Sequence, residues 1–193
     1  MEQLHWVTTS GCVNVTIFTI GHGNRTLDEL VDALREHAII QLVDVRSFPG
    51  SRRHPHFNRE NLERSLPASG VRYLWLKELG GRRRSRPDSP HTGWQVEGFR
   101  AYADYMETPA FAGALEALLH QAREAPTAYM CAERLWWQCH RRLISDALTV
   151  RGIDVVHVLD ARKSEPHKPT PFLQVVDGRL LYPAPATGGR DPA

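Results

Sequence analysis

Hydrophobic residues along the chain alternate between short β-branched runs and stretches with helical spacing. The first run, residues 15–20, is typical of a buried strand, and a turn-forming segment follows it. Thr26 then stands where a helix cap is expected, and Glu29, three residues later, completes a capping box. The apolar residues of the predicted helix recur at its spacing: Leu27, Leu30, Val31 and Leu34. The pattern therefore predicts a strand–turn–helix unit.

The same alternation continues through most of the chain. Further strands are predicted at residues 39–45, 71–76, 127–131 and 154–159. Helices are predicted after Asn58 as cap, around residues 99–106, from Thr108 onwards and over residues 138–151. Strands that alternate with helices favour parallel pairing and right-handed crossovers. We therefore expect an α/β fold: a single domain with a mostly parallel sheet of about five strands, covered by helices on both faces.

The C-terminal part of the chain has a different character. It becomes richer in proline, and Asp177-Gly178 between two short apolar runs predicts a β-hairpin at residues 172–182. We expect an N-terminal extension at residues 1–14, the α/β domain at residues 15–162, and a Pro-rich tail at residues 163–193 that carries the hairpin and ends in a disordered segment.

Composition excludes several classes of protein. The 193 residues are 41% hydrophobic and 24% charged, as in ordinary globular domains. No apolar run approaches the roughly 20 residues of a membrane-spanning helix, and the first residues lack the features of a signal peptide. Three cysteines form an odd set without a secretion signal, so reduced thiols are expected. These features predict a cytoplasmic protein without a membrane partner.

The charge is unevenly distributed. Residues 46–100 contain 12 Lys/Arg against 5 Asp/Glu, which leaves 12 against 17 in the rest of the chain. Such asymmetry favours a cationic surface for a nucleotide, nucleic acid or another phosphate-bearing ligand. A solvated basic loop is the alternative interpretation.

Reactive side chains cluster at the ends of predicted strands, where parallel sheets bind their ligands. Asp44 ends the second strand, and Cys131 with Glu133 ends the fourth. His140 and Arg141 begin the following helix, whose N-terminus attracts anions and lowers thiol pKa values. A thiol, a carboxylate, an imidazole and a guanidinium could thus meet at one pocket, although Cys139 and His140 also fit a core helix face.

The same segment offers residues for metal binding or for covalent thiol catalysis. Cys131, Cys139 and His140 with Glu133 could supply four ligands, but their spacing matches neither zinc knuckles nor zinc deaminases. No metal ligand is therefore predicted. A phosphatase-like loop would need an arginine where Trp137 stands, so that chemistry is disfavoured.

Two loops are predicted to bind the ligand. Gly21 and Gly23 between a strand and a helix allow a close approach of backbone to a phosphate, although a full dinucleotide fingerprint is missing. Residues 46–57 mix cations, histidines and aromatic rings, as phosphate clamping with base stacking requires. A second basic cluster, residues 82–86, is left without a role.

Six ordered motifs between residues 17 and 159 together resemble the domain-of-unknown-function family 488. These motifs are Thr19-Ile20-Gly21-His22-Gly23-Asn24-Arg25, Asp44-Val45-Arg46 with Pro49, Ser51-Arg52-Arg53, Leu79-Gly80-Gly81, Tyr102-Ala103-Asp104-Tyr105-Met106, and Cys131-Ala132-Glu133 with Cys139-His140-Arg141. The resemblance implies a compact α/β domain whose site lies at the two cysteine segments and the Asp-Val-Arg segment.

The preferred hypothesis is an enzyme that acts on a nucleotide or nucleic acid by hydrolytic chemistry. Glu133 and Asp44 are its predicted acid/base groups, while Cys131 and His140 would orient or polarise the ligand. The predicted ligand- and phosphate-binding residues are Gly21, His22, Gly23, Asn24, Arg25, Arg46, Ser51, Arg52, Arg53, Cys139 and Arg141. A non-catalytic binding module and a metal-dependent or thiol-redox protein stay open as alternatives. The sequence specifies neither a cofactor nor an oligomeric state.

Overall fold

The computed structural model of the protein describes residues 15–184, which excludes the predicted N-terminal extension and the end of the tail. The strands are β1 (Thr16–Gly21), β2 (Gln41–Asp44), β3 (Arg72–Trp75), β4 (Thr127–Cys131), β5 (Asp154–Val158), β6 (Ser164–Pro166), β7 (Gln174–Val176) and β8 (Arg179–Leu181). The helices are α1 (Leu27–Glu36), α2 (Arg59–Ala68), α3 (Glu97–Met106), α4 (Pro109–Glu124) and α5 (Arg141–Val150).

Six strands form the main sheet in the order β3-β2-β4-β1-β5-β6. The first five are parallel, and β6 runs antiparallel to β5. Strand β4 lies between β2 and β1, and the register pairs Asp44 with Met130 and Gly21 with Cys131. The carboxyl ends of these three strands are therefore neighbours at one edge of the sheet.

Each face of the sheet packs against its own group of helices. On one face, residues such as Leu30 and Leu34 of α1 and Leu62 of α2 form a core with β-strand side chains. On the other, α3, α4 and α5 contribute a second core that includes Tyr102 and Leu143. Because side chains alternate along a strand, neighbouring residues of β4 serve both cores. The predicted α/β architecture with both faces covered is confirmed.

Three local details differ from the sequence expectations. Strand β6 adds a sixth strand within the segment predicted to be tail, while the hairpin β7–β8 forms as predicted. Asn58 precedes α2, but its side chain accepts a hydrogen bond from the Ser51 backbone instead of capping the helix. Helix α5 begins later than predicted because residues 136–138 form a separate 3-10 turn. The capping box of Thr26 and Glu29 is present.

A buried aspartate attaches the C-terminal segment to α5. Asp146 accepts hydrogen bonds from His167 Nε2 (2.9 Å), from the Thr170 hydroxyl (2.7 Å) and backbone (2.9 Å), and from the Tyr182 hydroxyl (3.1 Å). His167 also contacts His157 of β5 through its other ring nitrogen (2.9 Å). These bonds satisfy the buried carboxylate and hold the chain after β6 against the domain.

Among residues 15–184, no helix combines the length and apolar character needed to cross a membrane.

Candidate functional site

The loops that follow β1, β2 and β4 are joined by backbone hydrogen bonds. The amides of His22 and Gly23 donate to the carbonyls of Cys131 (3.0 Å) and Ala132 (2.8 Å), and the Val45 amide donates to Met130 (2.9 Å). These bonds extend the parallel pairing beyond the strands and fix the loops relative to each other. Reactive side chains on the three loops are therefore held on one rigid edge.

Gly21 is required by the close approach of the β4 loop. A Cβ atom at this position would lie 1.8 Å from the Glu133 carbonyl oxygen and 2.7 Å from Arg141 Nη2. Real Cβ atoms do not approach other atoms so closely, and a side chain here would push the Glu133 segment away from β1. The glycine that the sequence suggested for a phosphate loop thus makes room for protein backbone.

Cys131, Cys139 and His140 come together at this edge. Their sulfur and ring-nitrogen atoms all lie within 4.8 Å of one another. His140 Nδ1 is 3.8 Å from Cys131 Sγ and 3.5 Å from Cys139 Sγ, and the other ring nitrogen lies 3.2 Å from the Val45 carbonyl oxygen. Both sulfurs belong to buried residues, yet all three residues border a cavity.

The two thiols differ in acidity. The hydrogen bond with Cys139, together with burial, raises the pKa of Cys131 well above its ordinary value. Burial opposes ionisation of Cys139 as well, but the hydrogen bond from Cys131, the adjacent His140 and the charge of Arg141 lower its pKa well below its ordinary value. The pair therefore favours one thiolate that shares the proton of its neighbour.

Asp44 and Arg46 form a buried ion pair. The carboxylate of Asp44 accepts hydrogen bonds from Arg46 Nε (2.9 and 3.1 Å), Arg46 Nη2 (2.5 Å) and the Arg46 amide (3.0 Å), and from the Tyr73 hydroxyl (2.7 Å). Burial, with the adjacent negative charge of Asp44, raises the pKa of Tyr73, which keeps this hydroxyl a donor. With five hydrogen bonds from four donor groups, the Asp44 carboxylate is committed to holding Arg46.

His22 is buried in its neutral form beside this ion pair. Its ring stacks on Phe57 at 4.2 Å, Nδ1 lies 2.9 Å from the Gly23 carbonyl oxygen, and Nε2 lies 3.2 Å from Arg46 Nη1. A neutral ring can donate to Gly23 and accept from Arg46 at the same time. Burial and the Arg46 charge lower the pKa of His22 to about 4, which the Asp44 charge only partly opposes.

This burial of His22 predicts acid sensitivity. The unfolded chain takes up a proton at His22 near pH 6.5, whereas the folded protein resists it until about pH 4. Stability is thus lost as the pH falls through this window, by about 2 kcal/mol between pH 7 and pH 5 from His22 alone. In His22→Phe, urea unfolding should show a correspondingly weaker dependence on pH, although the variant is less stable at pH 7. The exposed His120→Asn should retain the wild-type slope, and equal slopes for all three proteins would contradict the prediction.

A cavity of about 610 Å³ is bordered by Cys131, Cys139 and His140, which we call the Cys–His cluster. Its volume falls in the range of small-molecule sites. The lining residues are Arg46, Ser47, Phe48, Gly50, Gly81, Arg82, Gln95, Val96, Gly98, Phe99, Cys131, Ala132, Glu133, Trp137, Gln138, Cys139, His140 and Arg142. The cavity thus combines aromatic walls, cations and the reactive cluster at its floor.

Comparison with protein-family models matches residues 26–148 to the domain of unknown function DUF488, which covers well over half of the chain. The chain belongs to the DUF488 family. Comparisons with curated proteins and with solved structures gave no match. In this DUF488 domain, the matched segment contains β2, β4 and the cluster of Cys131, Cys139 and His140.

Some of the predicted site residues border the cavity of the DUF488 domain, whereas others form hydrogen bonds within the surrounding loops. Glu133 borders the cavity, and its carboxylate has no hydrogen-bond or ionic partner within residues 15–184. Arg141 is 1% exposed and bonds to the Thr19 hydroxyl and to the carbonyls of Glu133 and Arg134. Arg25 donates to the carbonyls of Gly21 and Leu159. Both arginines therefore hold the loops around the DUF488 site.

The remaining predicted residues lie towards the surface. Asn24 is exposed, and Gly23 adopts a φ of +54°, which favours glycine. Ser51 is half-buried, and its hydroxyl accepts a hydrogen bond from the His54 backbone. Arg52 and Arg53 are exposed and form no ion pair with the described part of the chain. Neither arginine borders the cavity itself.

Sequence reasoning missed part of the DUF488 cavity wall. Gln95, Val96 and Phe99 come from the segment before α3 and from its first turn, where no motif indicated a site. Arg82 belongs to the basic cluster at residues 82–86, for which the sequence predicted no role, and its guanidinium lies 5.7 Å from the Phe48 ring centroid. The excess of arginine around residue 82 was the available signal, but only the fold shows which arginine faces the cavity.

Proposed function

We propose that this protein is an enzyme that acts on a nucleotide or on nucleic acid bound in the cavity, by hydrolytic acid/base chemistry. The observation that carries the proposal is that the Glu133 carboxylate, which has no partner within residues 15–184, borders the same ligand-sized cavity as the Cys–His cluster. A carboxylate free of partners can take up and release a proton during turnover. Asp44, in contrast, is assigned a positioning role because Arg46 and Tyr73 occupy it.

The cavity walls favour a ligand that carries both an aromatic ring and a phosphate. Phe48 is 68% exposed, and Phe99 and Trp137 offer further aromatic surface. The Arg82 guanidinium lies over the Phe48 ring and has no ion-pair partner in residues 15–184. Its charge is therefore available to an anion. Nucleic-acid sites combine such stacking surfaces with cations that contact the backbone. Arg52 and Arg53 extend the cationic surface beyond the cavity.

Binding of nucleotides and short single-stranded oligonucleotides, followed by fluorescence and by product analysis, tests the proposal. We expect affinity to fall with salt, by about 0.7 to 0.9 in log affinity per log salt for each phosphate contact. Arg82→Gln should weaken binding and reduce this slope by about one contact. A variant that combines Arg52→Gln and Arg53→Gln should also bind more weakly and with a reduced salt dependence if the ligand extends past the cavity.

Arg123→Gln is the matched control. Arg123 is exposed at the end of α4, and α4 leads into the amino end of β4, opposite to the cavity edge. This variant should bind as the wild type does. Binding without salt dependence, or equal losses in the Arg123 and Arg82 variants, would count against a nucleic-acid ligand at the cavity.

Two other functions remain distinguishable from the proposed one. A non-catalytic binding module would show the same salt-dependent binding and no product with any bound ligand. A thiol-redox or metal-dependent protein is favoured by the proximity of the Cys131 and Cys139 sulfurs, which lie within 4.8 Å of each other. The rate at which a thiol reagent modifies Cys139, measured as a function of pH, tests the redox function. An unusually fast reaction at neutral pH would support it.

A further inference from the structure

We infer that Cys131, Cys139 and His140 bind one divalent transition-metal ion, with zinc as the best fit, and that the fourth coordination position opens into the cavity. The donors are two thiol sulfurs and one imidazole nitrogen, and this combination selects zinc over the hard cations that prefer oxygen. The inference extends beyond the proposed function because metal binding requires no nucleotide. A role of the ion in turnover, however, rests on the proposed function.

The distances from the imidazole nitrogen to the two sulfurs fit a single tetrahedral ion. A zinc ion bound at about 2.3 Å to sulfur and about 2.0 to 2.1 Å to nitrogen places a sulfur and a nitrogen about 3.6 Å apart. His140 Nδ1 lies 3.5 Å from Cys139 Sγ and 3.8 Å from Cys131 Sγ. Both sulfur–nitrogen distances therefore match those of a tetrahedral site, and the two sulfurs lie within 4.8 Å of each other.

The orientation of His140 is also that of a ligand. Its Nε2 lies 3.2 Å from the Val45 carbonyl oxygen, so Nε2 carries the proton that it donates to this oxygen. Nδ1 then presents its lone pair to the two sulfurs. Histidines that bind metals usually donate their second ring N–H to a carbonyl or carboxylate in this way. Val45 is itself held by the hydrogen bond that its backbone N–H donates to the Met130 carbonyl oxygen (2.9 Å).

Gly81 provides the space in which the ring lies. A Cβ atom at residue 81 would be 2.5 Å from His140 Nδ1 and 2.7 Å from Cγ of the same ring. The backbone of the loop at residues 80–82 therefore closes over the imidazole and restricts its rotation. This contact explains why a glycine belongs at a position that has no φ requirement of its own.

Three protein ligands and an adjoining cavity are typical of catalytic metal sites, whereas structural zinc sites have four protein ligands. The cluster forms the floor of the 610 Å³ cavity, so a water molecule could occupy the fourth position. Zinc lowers the pKa of such a water to about 7. Glu133, which borders the same cavity, would accept the proton that this water releases.

The test uses the full chain, reduced and stripped with a chelator, and titrated with Zn²⁺ against a chromophoric competitor. We expect one equivalent per chain, and we expect Co²⁺ to give the intense visible bands of tetrahedral thiolate coordination. Cys139→Ser and His140→Gln should each weaken Zn²⁺ binding at least about 100-fold. Gly81→Ala, which displaces the imidazole, should weaken it about 10- to 100-fold. Circular dichroism establishes that each variant is folded.

Cys12→Ser is the matched control, because this third cysteine lies outside the described residues and is not a proposed ligand. Its affinity should equal that of the wild type, and a loss as large as that of Cys139→Ser would overturn the assignment. Glu133→Gln should retain Zn²⁺ within a few-fold. If Glu133→Gln loses as much Zn²⁺ affinity as Cys139→Ser, then Glu133 is a fourth ligand. The inference that the fourth coordination position is open would then be wrong. Failure of the wild type to bind Zn²⁺ or Co²⁺ overturns the inference altogether.

The outcomes separate this inference from the proposed function. Metal binding without nucleotide turnover would leave the metal site standing and remove the nucleotide-directed enzyme. Turnover by chelator-treated protein that contains no metal would support the enzyme and overturn a role of the ion in its chemistry.

Discussion

Glu133→Gln is expected to reduce turnover of a bound nucleotide or oligonucleotide by about 10²- to 10⁴-fold, the usual contribution of a general acid or base. Glutamine keeps the shape of the side chain but cannot accept or release a proton at neutral pH. Because the Glu133 carboxylate has no partner in residues 15–184, its replacement breaks no ion pair in that part of the chain. The measurements are single-turnover rates and binding affinities for the same ligand.

Stability and binding should be preserved in this variant. The backbone carbonyl of Glu133, which accepts a hydrogen bond from Arg141 Nη2 at 2.6 Å, is retained in Glu133→Gln. Glu97→Gln serves as a control, since Glu97 is also exposed but lies in the first turn of α3 and does not border the cavity. An unchanged rate in Glu133→Gln would remove this residue from the mechanism.

Asp44→Ala is expected to lower the free energy of unfolding by about 3 to 5 kcal/mol. The substitution leaves the Arg46 guanidinium, which is buried with it, without its counter-ion, and it also removes the acceptor of the Tyr73 hydroxyl. Breaking one partner of a buried ion pair is costly because the remaining charge stays desolvated. Urea unfolding measured by circular dichroism gives the change directly.

A double replacement distinguishes this explanation from a general loss of packing. Asp44→Leu combined with Arg46→Met removes both charges and should recover a large part of the stability lost in Asp44→Ala. Asp32→Ala, at an exposed position of α1, should stay within about 0.5 kcal/mol of the wild type. If the double variant is no more stable than Asp44→Ala, the unpaired charge is not the main cause.

The replacement of Asp44 should also affect metal binding at the cavity. Asp44 and Arg46 flank Val45, whose carbonyl oxygen receives the hydrogen bond of His140. Weaker Zn²⁺ binding in Asp44→Ala would therefore be expected even where the variant is still folded, because the orientation of the imidazole depends on this turn.

Local patterns in the sequence were sufficient to predict most elements of the fold, although not β6. The capping box of Thr26 and Glu29, the buried run at residues 127–131 and the Asp177-Gly178 turn each depend on neighbouring residues, so the chain reveals them without a partner. The role of Asn58 was not predictable in this way. Its side chain bonds to Ser51, seven residues earlier, and this bond competes with the cap.

The features of the site also separate into those that are local in the sequence and those that depend on tertiary structure. The sequence by itself determined that Gly21, Asp44 and Cys131 end their strands, because apolar runs and their polar ends are local features. Only the tertiary structure decided that β4 lies between β2 and β1, which makes these ends neighbours. It likewise decided that Asp44 is occupied by Arg46, while the Glu133 carboxylate has no partner within residues 15–184. It also brought the sulfurs of two separated cysteine segments to one imidazole. Such distances depend on the strand order and on the conformation of the loops. The spacing of residues along the chain determines neither of them.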